Sequence, residues 1–434
     1  MKGKIIPLFL IISLAFLLPI TVNAYAEQDT YKKIDQYVKQ SIDRAHIPGM
    51  SILIVNKDEV LFSNTYGNCS SINTPFIIGS MSKSFTAVSI MQLIEQGKVS
   101  LDSNISNYLT DCSIGDKITV RQLLNQTSGL GEHQRLSNIK ITSSYGTHQY
   151  ASVNYSLLGE IIERVSGMSY DEYVTEHIFK PLSMDHSAAS LNKSMQSGLI
   201  SGYRNFFGFP IAGAPDYPNK NSWSQVPAGY ISSSASDMGK YLQMYLKGGE
   251  KVITEESINT VFYSNVLVDA STSYYYGMGW SLTKKYKEPI LGHSGLVENY
   301  MSNMYILPDS NIGVVILANT NDYLVAGNMF DAMSDSVPLM LLGYSPIEIS
   351  DSKYLSSHLM LDFVYVTLFL IALFPIFRLK RFKGKLTAYK TSRIMVPIII
   401  LHAVYPTILL LLPGFLDSPL WILRYYVPDL FITL

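Results

Sequence analysis

Ser80 and Lys83 stand three residues apart in the stretch GSMSKSFTA, residues 79 to 87. A serine attacks a carbonyl only when something takes its proton. On a helix, positions i and i+3 share a face, so the Ser80 hydroxyl and the Lys83 amine can meet. The spacing alone is uninformative, because Ser-x-x-Lys also begins at Ser137, Ser190, Ser281 and Ser350. The setting separates Ser80 from these. Met81 to Ile94 is apolar almost all round, as in a buried helix. An ammonium inside such a helix is costly unless it is paired or used. Ser80 also lies near the helix N-terminus, where backbone N–H groups favour a developing anion. The plainer reading is a helix-capping serine beside a snorkelling lysine.

Two further stretches carry the same chemistry. QYASVNYSLLGE, residues 149 to 160, places Tyr150 just before an apolar helix, with Ser152 two residues on. A phenol has a reference pKa near 10, and a neighbouring ammonium is expected to lower it toward use as a base. LGHSGLVENY, residues 291 to 300, places His293, Ser294, Gly295 and Leu296 before a C-terminal hairpin. An edge strand there is expected to hold an extended substrate and to offer a backbone N–H to an oxyanion.

The elements that must position these residues are legible around them. MSILIVNKDEVLFSNTYG (50–67) reads as two strands turning at Asn56-Lys57-Asp58. SNMYILPDSNIGVVILAN (302–319) reads likewise, turning at Pro308-Asp309. Residues 322 to 342 form a plausible closing helix, and the middle is mostly of helical spacing. Strands at both ends and helices between them predict an α+β fold: an antiparallel sheet built from the two termini, with a mostly helical insert.

These motifs resemble the serine penicillin-recognising enzymes, which include class C β-lactamases, D-peptidases and related esterases. The resemblance runs from about Ile52 to Asn319 and includes TPFIIGSMSKSFTA, ITVRQLLNQTSGL, NYSLLGEIIERVSG, PAGYISSSASDM, YGMGW and GHSG. It implies Ser80 as the acylated nucleophile, Lys83 as its proton-shuttling partner and Tyr150 as general base and acid. It implies an oxyanion hole from the backbone N–H groups of Ser80 and Leu296, and places His293-Ser294-Gly295 where Lys-Thr-Gly is commoner. Two positions depart from the pattern. Ser152 stands where Asn is usual, and Gln126 where the segment LLxHTSG often has histidine. The first bears on penicillin-type binding more than on acylation. The implied activity is a peptidase acting on D-amino-acid-containing peptides of cell-wall type. The alternatives are a prodrug-activating D-amino-acid peptidase of a nonribosomal peptide pathway, an esterase, a β-lactamase, or a non-catalytic penicillin sensor. The prodrug-activating members use acidic recognition just before the nucleophile, where Ile77 and Ile78 stand here. No cofactor is implied.

The whole chain sets the surroundings. It has 434 residues and a net charge of -1, so no strong field points to nucleic acid. Charged residues are only 15% of the chain and its mean hydropathy is +0.16, so part of it is expected to meet lipid. Lys2 and Lys4 precede an apolar run from Ile5 to Val22 and small residues to Ala24, a secretory signal peptide over 1–24. The hydrolase domain is expected over 25–350 and a membrane region over 356–434. Met360–Phe377 and Ile394–Leu416 are each long enough for a span, and Pro419–Leu434 is a shorter third stretch. The basic run between the first two, Arg378 to Arg393, is expected on the cytoplasmic side. The catalytic domain is then extracytoplasmic, in agreement with the signal peptide. The region reads first as an anchor in lipid, and second as a tail that shapes the substrate path; Arg424 and Asp429 read as lying at the membrane edge. Residues 202–226 are rich in aromatics, Gly and Pro and read equally as a roof over the site or as surface loop. Cys69 and Cys112 either pair, closing a loop worth roughly 3–4 kcal/mol, or stay free. Neither CxxC nor HExxH spacing occurs, so no metal site is expected.

Overall fold

The computed structural model describes residues 28–213, 217–219, 221–382, 420–426 and 428–429. The expected signal peptide, the Ile394–Leu416 run and most of the basic stretch lie outside them.

An eight-stranded antiparallel sheet, ordered β2-β1-β12-β11-β10-β9-β8-β7, forms the middle layer. Its members are β1 (Gly49–Val55), β2 (Val60–Gly67), β7 (Val266–Asp269), β8 (Tyr274–Gly277), β9 (Trp280–Thr283), β10 (Ile290–Val297), β11 (Tyr300–Leu307) and β12 (Ile312–Ala318). Both expected hairpins are present, and they meet: Ile52 pairs with Ile316 across β1 and β12. At the first turn Asn56 Oδ1 accepts the N–H groups of Asp58 and Glu59, both at 2.8 Å.

β1 is buried along its whole length, so its side chains serve two cores by alternation. Met50, Ile52 and Ile54 join Val314 and Ile316 under the helix at 28–45 and the closing helix Ala326–Leu341. Leu53 and Val55 face the other way with Val315 and Leu317, against a larger helical layer. That layer holds the helices Ser82–Glu95, Ser152–Ser166 and Ala235–Leu246. The last packs so closely on the sheet that a Cβ on Gly239 would lie 2.2 Å from Leu53 Cδ2. Two small sheets lie outside the main one: β3 (Pro75–Ile77) with β6 (Ser232–Ser234), and β4 (Gly202–Phe206) with β5 (Phe209–Gly213) and β13 (Thr320–Asn321). The α+β expectation holds, and the helical insert falls between β2 and the β7–β9 meander.

Cys69 and Cys112 are both free thiols. Beyond the closing helix runs a helix over Asp351–Phe382. Among the described residues no helix is long and apolar enough to cross a membrane.

Candidate active site

Ser80 sits in a single 3-10 turn, Gly79–Met81, that feeds the buried Ser82–Glu95 helix. The turn is wedged against β10. Gly79 has φ +54°, and a Cβ there would lie 2.5 Å from Leu296 N. From the other side, a Cβ on Gly295 would lie 2.1 Å from Ile78 O. Only two glycines allow this approach, which sets the backbones of Ser80 and Leu296 side by side. Ser302 Oγ donates to Ile78 O at 2.8 Å, and Ser82 Oγ donates to Gly79 O at 2.7 Å, pinning the turn from both flanks. β10 pairs with β9 only over Ile290–Gly292. The segment from His293 to Val297 therefore presents an edge toward the Ser80 turn, as expected of a substrate-holding strand.

Lys83 is fully buried, and its Nζ lies 2.9 Å from Ser80 Oγ. It donates to Ala228 O at 2.7 Å and sits 3.5 Å from Ser152 Oγ, the outer limit of a hydrogen bond. Desolvation holds the amine well below its ordinary pKa. Tyr150 hydrogen-bonds the Ser80 side chain, and Lys83 Nζ lies 4.7 Å from the centre of its ring. The expected direction of the tyrosine shift is reversed. Desolvation pushes the phenol above its ordinary value, and the Ser80 hydrogen bond offsets only part of this. The physical reason is that one burial acts on both groups: it disfavours the ammonium that was to acidify the phenol, and it disfavours the phenolate itself. Burial thus draws the pair toward a neutral amine and a neutral phenol.

The structure gathers the expected residues into one cavity. Ser80, Tyr150, Ser152, His293, Ser294 and Leu296 line a space of about 1140 Å³. Gly295 packs behind it as the contact point with Ile78. His293 is buried, with Nε2 3.1 Å from the Tyr276 hydroxyl and Nδ1 2.6 Å from Ser294 O. Burial first, and then the Lys83 charge, push its pKa down to about 3. It is a neutral hydrogen-bonding group at ordinary pH.

Several contributors were not read from the sequence. Ala228 O anchors Lys83, and Tyr276 anchors His293. Both fall in segments quoted for the resemblance, but nothing local marks their roles. Gln126 also gains a role. It is fully buried in a left-handed conformation (φ +59°), and its Oε1 accepts Ala151 N at 3.0 Å and the Asn154 side-chain amide. Its own carbonyl accepts Gln149 N at 2.8 Å. It therefore grips both sides of Tyr150. Asn154 is held there as a brace, with Ser128 Oγ on its Oδ1, and it does not reach the cavity.

The cavity extends past this centre. Trp223, from the aromatic stretch, lines it, whereas Phe209 and Ile211 of the β4–β5 hairpin are exposed. Part of the wall comes from Leu361, Val364, Tyr365, Ile422, Leu423 and Tyr426. The stretch expected to serve as an anchor thus touches the space that holds Ser80.

The profile of the family described as Beta-lactamase matches residues 34–332. Protein flp of Staphylococcus aureus (strain MRSA252) is 27% identical over 328 residues, covering 68% of this chain and 64% of its own length. The chain thus spans less than two thirds of that relative. An octameric penicillin-binding protein homologue from Pyrococcus abyssi superimposes with a TM-score of 0.64 at 26% identity, covering 73% of this chain and 78% of its own. A class C β-lactamase superimposes with a TM-score of 0.62 at 19% identity, covering 73% and 98%, and shares the fold.

Proposed function

The chain belongs to the Beta-lactamase family and is a serine hydrolase of that family, and from this we propose that it is an exported, membrane-anchored peptidase that cleaves D-amino-acid-containing peptides through an acyl-enzyme on Ser80. The observation that carries the reading is the fully buried Lys83 amine 2.9 Å from Ser80 Oγ, at a cavity edged by an open strand.

The pKa directions favour Lys83 as the group that first takes the proton. A neutral amine at hydrogen-bond distance is a competent base, and a desolvated phenol is a poor one. Ser80 Oγ bonds to the substrate carbonyl carbon as its proton passes to Lys83 Nζ. The carbonyl oxygen, now an anion, is held by the Ser80 and Leu296 N–H groups, each such donor being worth about 3–4 kcal/mol in the transition state. The C–N bond then breaks. The leaving amine takes a proton through the Tyr150 hydroxyl, which is replenished from Lys83. Water adds to the ester by the reverse path, its proton following the same relay, and frees the acid and Ser80. No cofactor enters any step.

Substrate identity rests on the family resemblance and on the strand edge at His293–Val297, which suits an extended peptide. In Ser152 the site lacks the reach of an amide, which supports peptide turnover over tight lactam binding. Attachment to the membrane rests on the apolar runs of the sequence and on the exposed apolar side chains of the Asp351–Phe382 helix, among them Leu359, Met360 and Phe363.

Intact-mass and product analysis with an acyl-D-Ala-D-Ala peptide, an N-acyl-D-Asn peptide and benzylpenicillin, beside Ser80→Ala, tests the proposal. Cleavage of a D-peptide that disappears in Ser80→Ala, with the variant folded, is expected. Preference for D-Asn would move the assignment to prodrug activation. A stable penicillin adduct without peptide turnover would make the protein a sensor, and wild-type turnover in Ser80→Ala would remove the nucleophile.

A further inference from the structure

Part of the wall of the Ser80 cavity is supplied by chain that the hydrolase family profile, ending at residue 332, does not cover. Leu361, Val364 and Tyr365 on the Asp351–Phe382 helix, and Ile422, Leu423 and Tyr426 in the segment after it, face the cavity. Ile422 and Leu423 are 7% exposed. Both pieces are tied down by polar contacts.

The helix is held at a buried clasp. His358 Nε2 lies 2.8 Å from Asp322 Oδ2, and Asn205 Nδ2 donates to the same oxygen at 3.1 Å. Asn205 also donates to the Tyr354 hydroxyl, which donates to Gly208 O at 3.2 Å. Residues 420–426 and 428–429 are held at both ends. At one end the Arg135 guanidinium sits 5.0 Å from the Trp421 ring centre. At the other, Phe207 N donates to Asp429 Oδ2 at 3.0 Å. Between these points Tyr426 packs near Tyr323, and Leu423 packs with Tyr365 and Phe207. A pure anchor would not need buried charge-bearing contacts to the catalytic body, because desolvating Asp322, His358 and Asp429 is unfavourable unless their geometry is put to use. Asp429, read from sequence as lying at the membrane edge, is seated on the β4–β5 turn.

We propose that this clasped C-terminal wall is a specificity subsite of the Ser80 site, and that it takes an extended apolar arm of the substrate. The lining near Ser80 is polar, with Ser152, His293 and Ser294, and the C-terminal part of the wall is largely apolar, so a fitting substrate is amphipathic: a reactive carbonyl at one end and an alkyl or aryl group at the other. His358 and Asp322 act as positioning residues for the wall. The inference rests on Ser80 as the nucleophile of the proposed reading, and does not depend on which peptide is cleaved.

Three fluorophosphonates test it, with short-alkyl, long-alkyl and aryl-tailed groups, reacted with the full chain in lipid nanodiscs. Ser80 Oγ bonds to phosphorus, fluoride leaves, and the serine proton passes to Lys83, so intact mass reads the rate at Ser80 alone. In the wild type the long-tailed reagents are expected to react at least about tenfold faster than the short one, as burial of two methylenes suffices for that. In Leu423→Asp and Tyr426→Ala the long-to-short ratio is expected to fall toward one. His358→Ala is expected to lower the same ratio, which general loss of folding would not do, because it slows both reagents alike. Preference for the alkyl over the aryl reagent assigns the arm to a fatty chain, and the reverse assigns it to an aromatic side chain. A wild-type ratio near one, or a ratio unmoved by both wall variants, overturns the subsite. Absence of any Ser80-dependent adduct is a different failure, because it removes the nucleophile itself.

Discussion

At the scale of single residues, one burial sets the chemistry. Lys83 has no carboxylate among the groups it touches, and desolvation alone lowers its pKa. Acylation requires the neutral amine, so kcat/KM is expected to rise with pH through that lowered pKa and then to level off. The limb belongs to Lys83 and not to His293, whose pKa near 3 leaves it neutral throughout. A pH profile measured on the wild type and on His293→Asn checks this: the rate falls in the variant, but the midpoint of the limb stays. A midpoint at the ordinary lysine value, or one that moves with His293, would contradict the assignment. Replacing the amine by an apolar isostere, Lys83→Met, is expected to remove acylation while leaving the melting temperature unchanged or higher, since a buried amine disfavours the fold. A melting temperature several degrees lower would show that the hydrogen bonds to Ala228 O and Ser80 outweigh that cost.

At the scale of elements, the site is a contact between a turn and a strand. Its tightest point is Gly295, where a side chain would strike both Ile78 O and Ser302 Oγ. Gly295→Ala is expected to cost about 1–3 kcal/mol of stability and to reduce acylation by displacing the Ser80 turn from Leu296. Thermal melts and fluorophosphonate labelling rates read the two effects separately. Unchanged labelling would show that the oxyanion site does not depend on this approach. The two end hairpins were legible in the sequence because strand alternation is local. The Ser82–Glu95 helix was legible because it is apolar all round. The β7–β9 meander was not, because its strands have four residues each and are broken by glycine. That Ser80, Lys83 and Tyr150 belong together was implied by the family resemblance, and the fold brings them side by side. The direction of the Tyr150 shift was not, since burial depends on neighbours far along the chain. Gln126 showed only as an odd residue at a familiar position, and its grip on Ala151 and Asn154 appears once the chain is folded.

At the scale of the whole molecule, the catalytic body and the region after it are joined by specific contacts. Composition could not reveal this, because a side chain that faces lipid and one that lines an apolar cavity are of the same type. The helix from Asp351 exposes Leu355, Leu359, Met360, Phe363 and Phe369 while Leu361 and Tyr365 turn inward. With that outward face and the apolar runs after it, the full chain is expected to remain with membranes after a carbonate wash and to be released only by detergent. Release by carbonate alone would reduce the region to a peripheral contact.

The bond from Phe207 to Asp429 joins residues 222 apart in sequence. Translation at about 5–20 residues per second separates their appearance by roughly ten to forty seconds. Late in that interval the strands through β12 and Leu296 have been made as well, while residues 420–429 have not. On the proposed subsite, a nascent chain at that stage would carry its reacting groups but lack the wall that reads the apolar part of what it meets. Selectivity would then be acquired after the reacting groups, with the segment that follows the apolar runs.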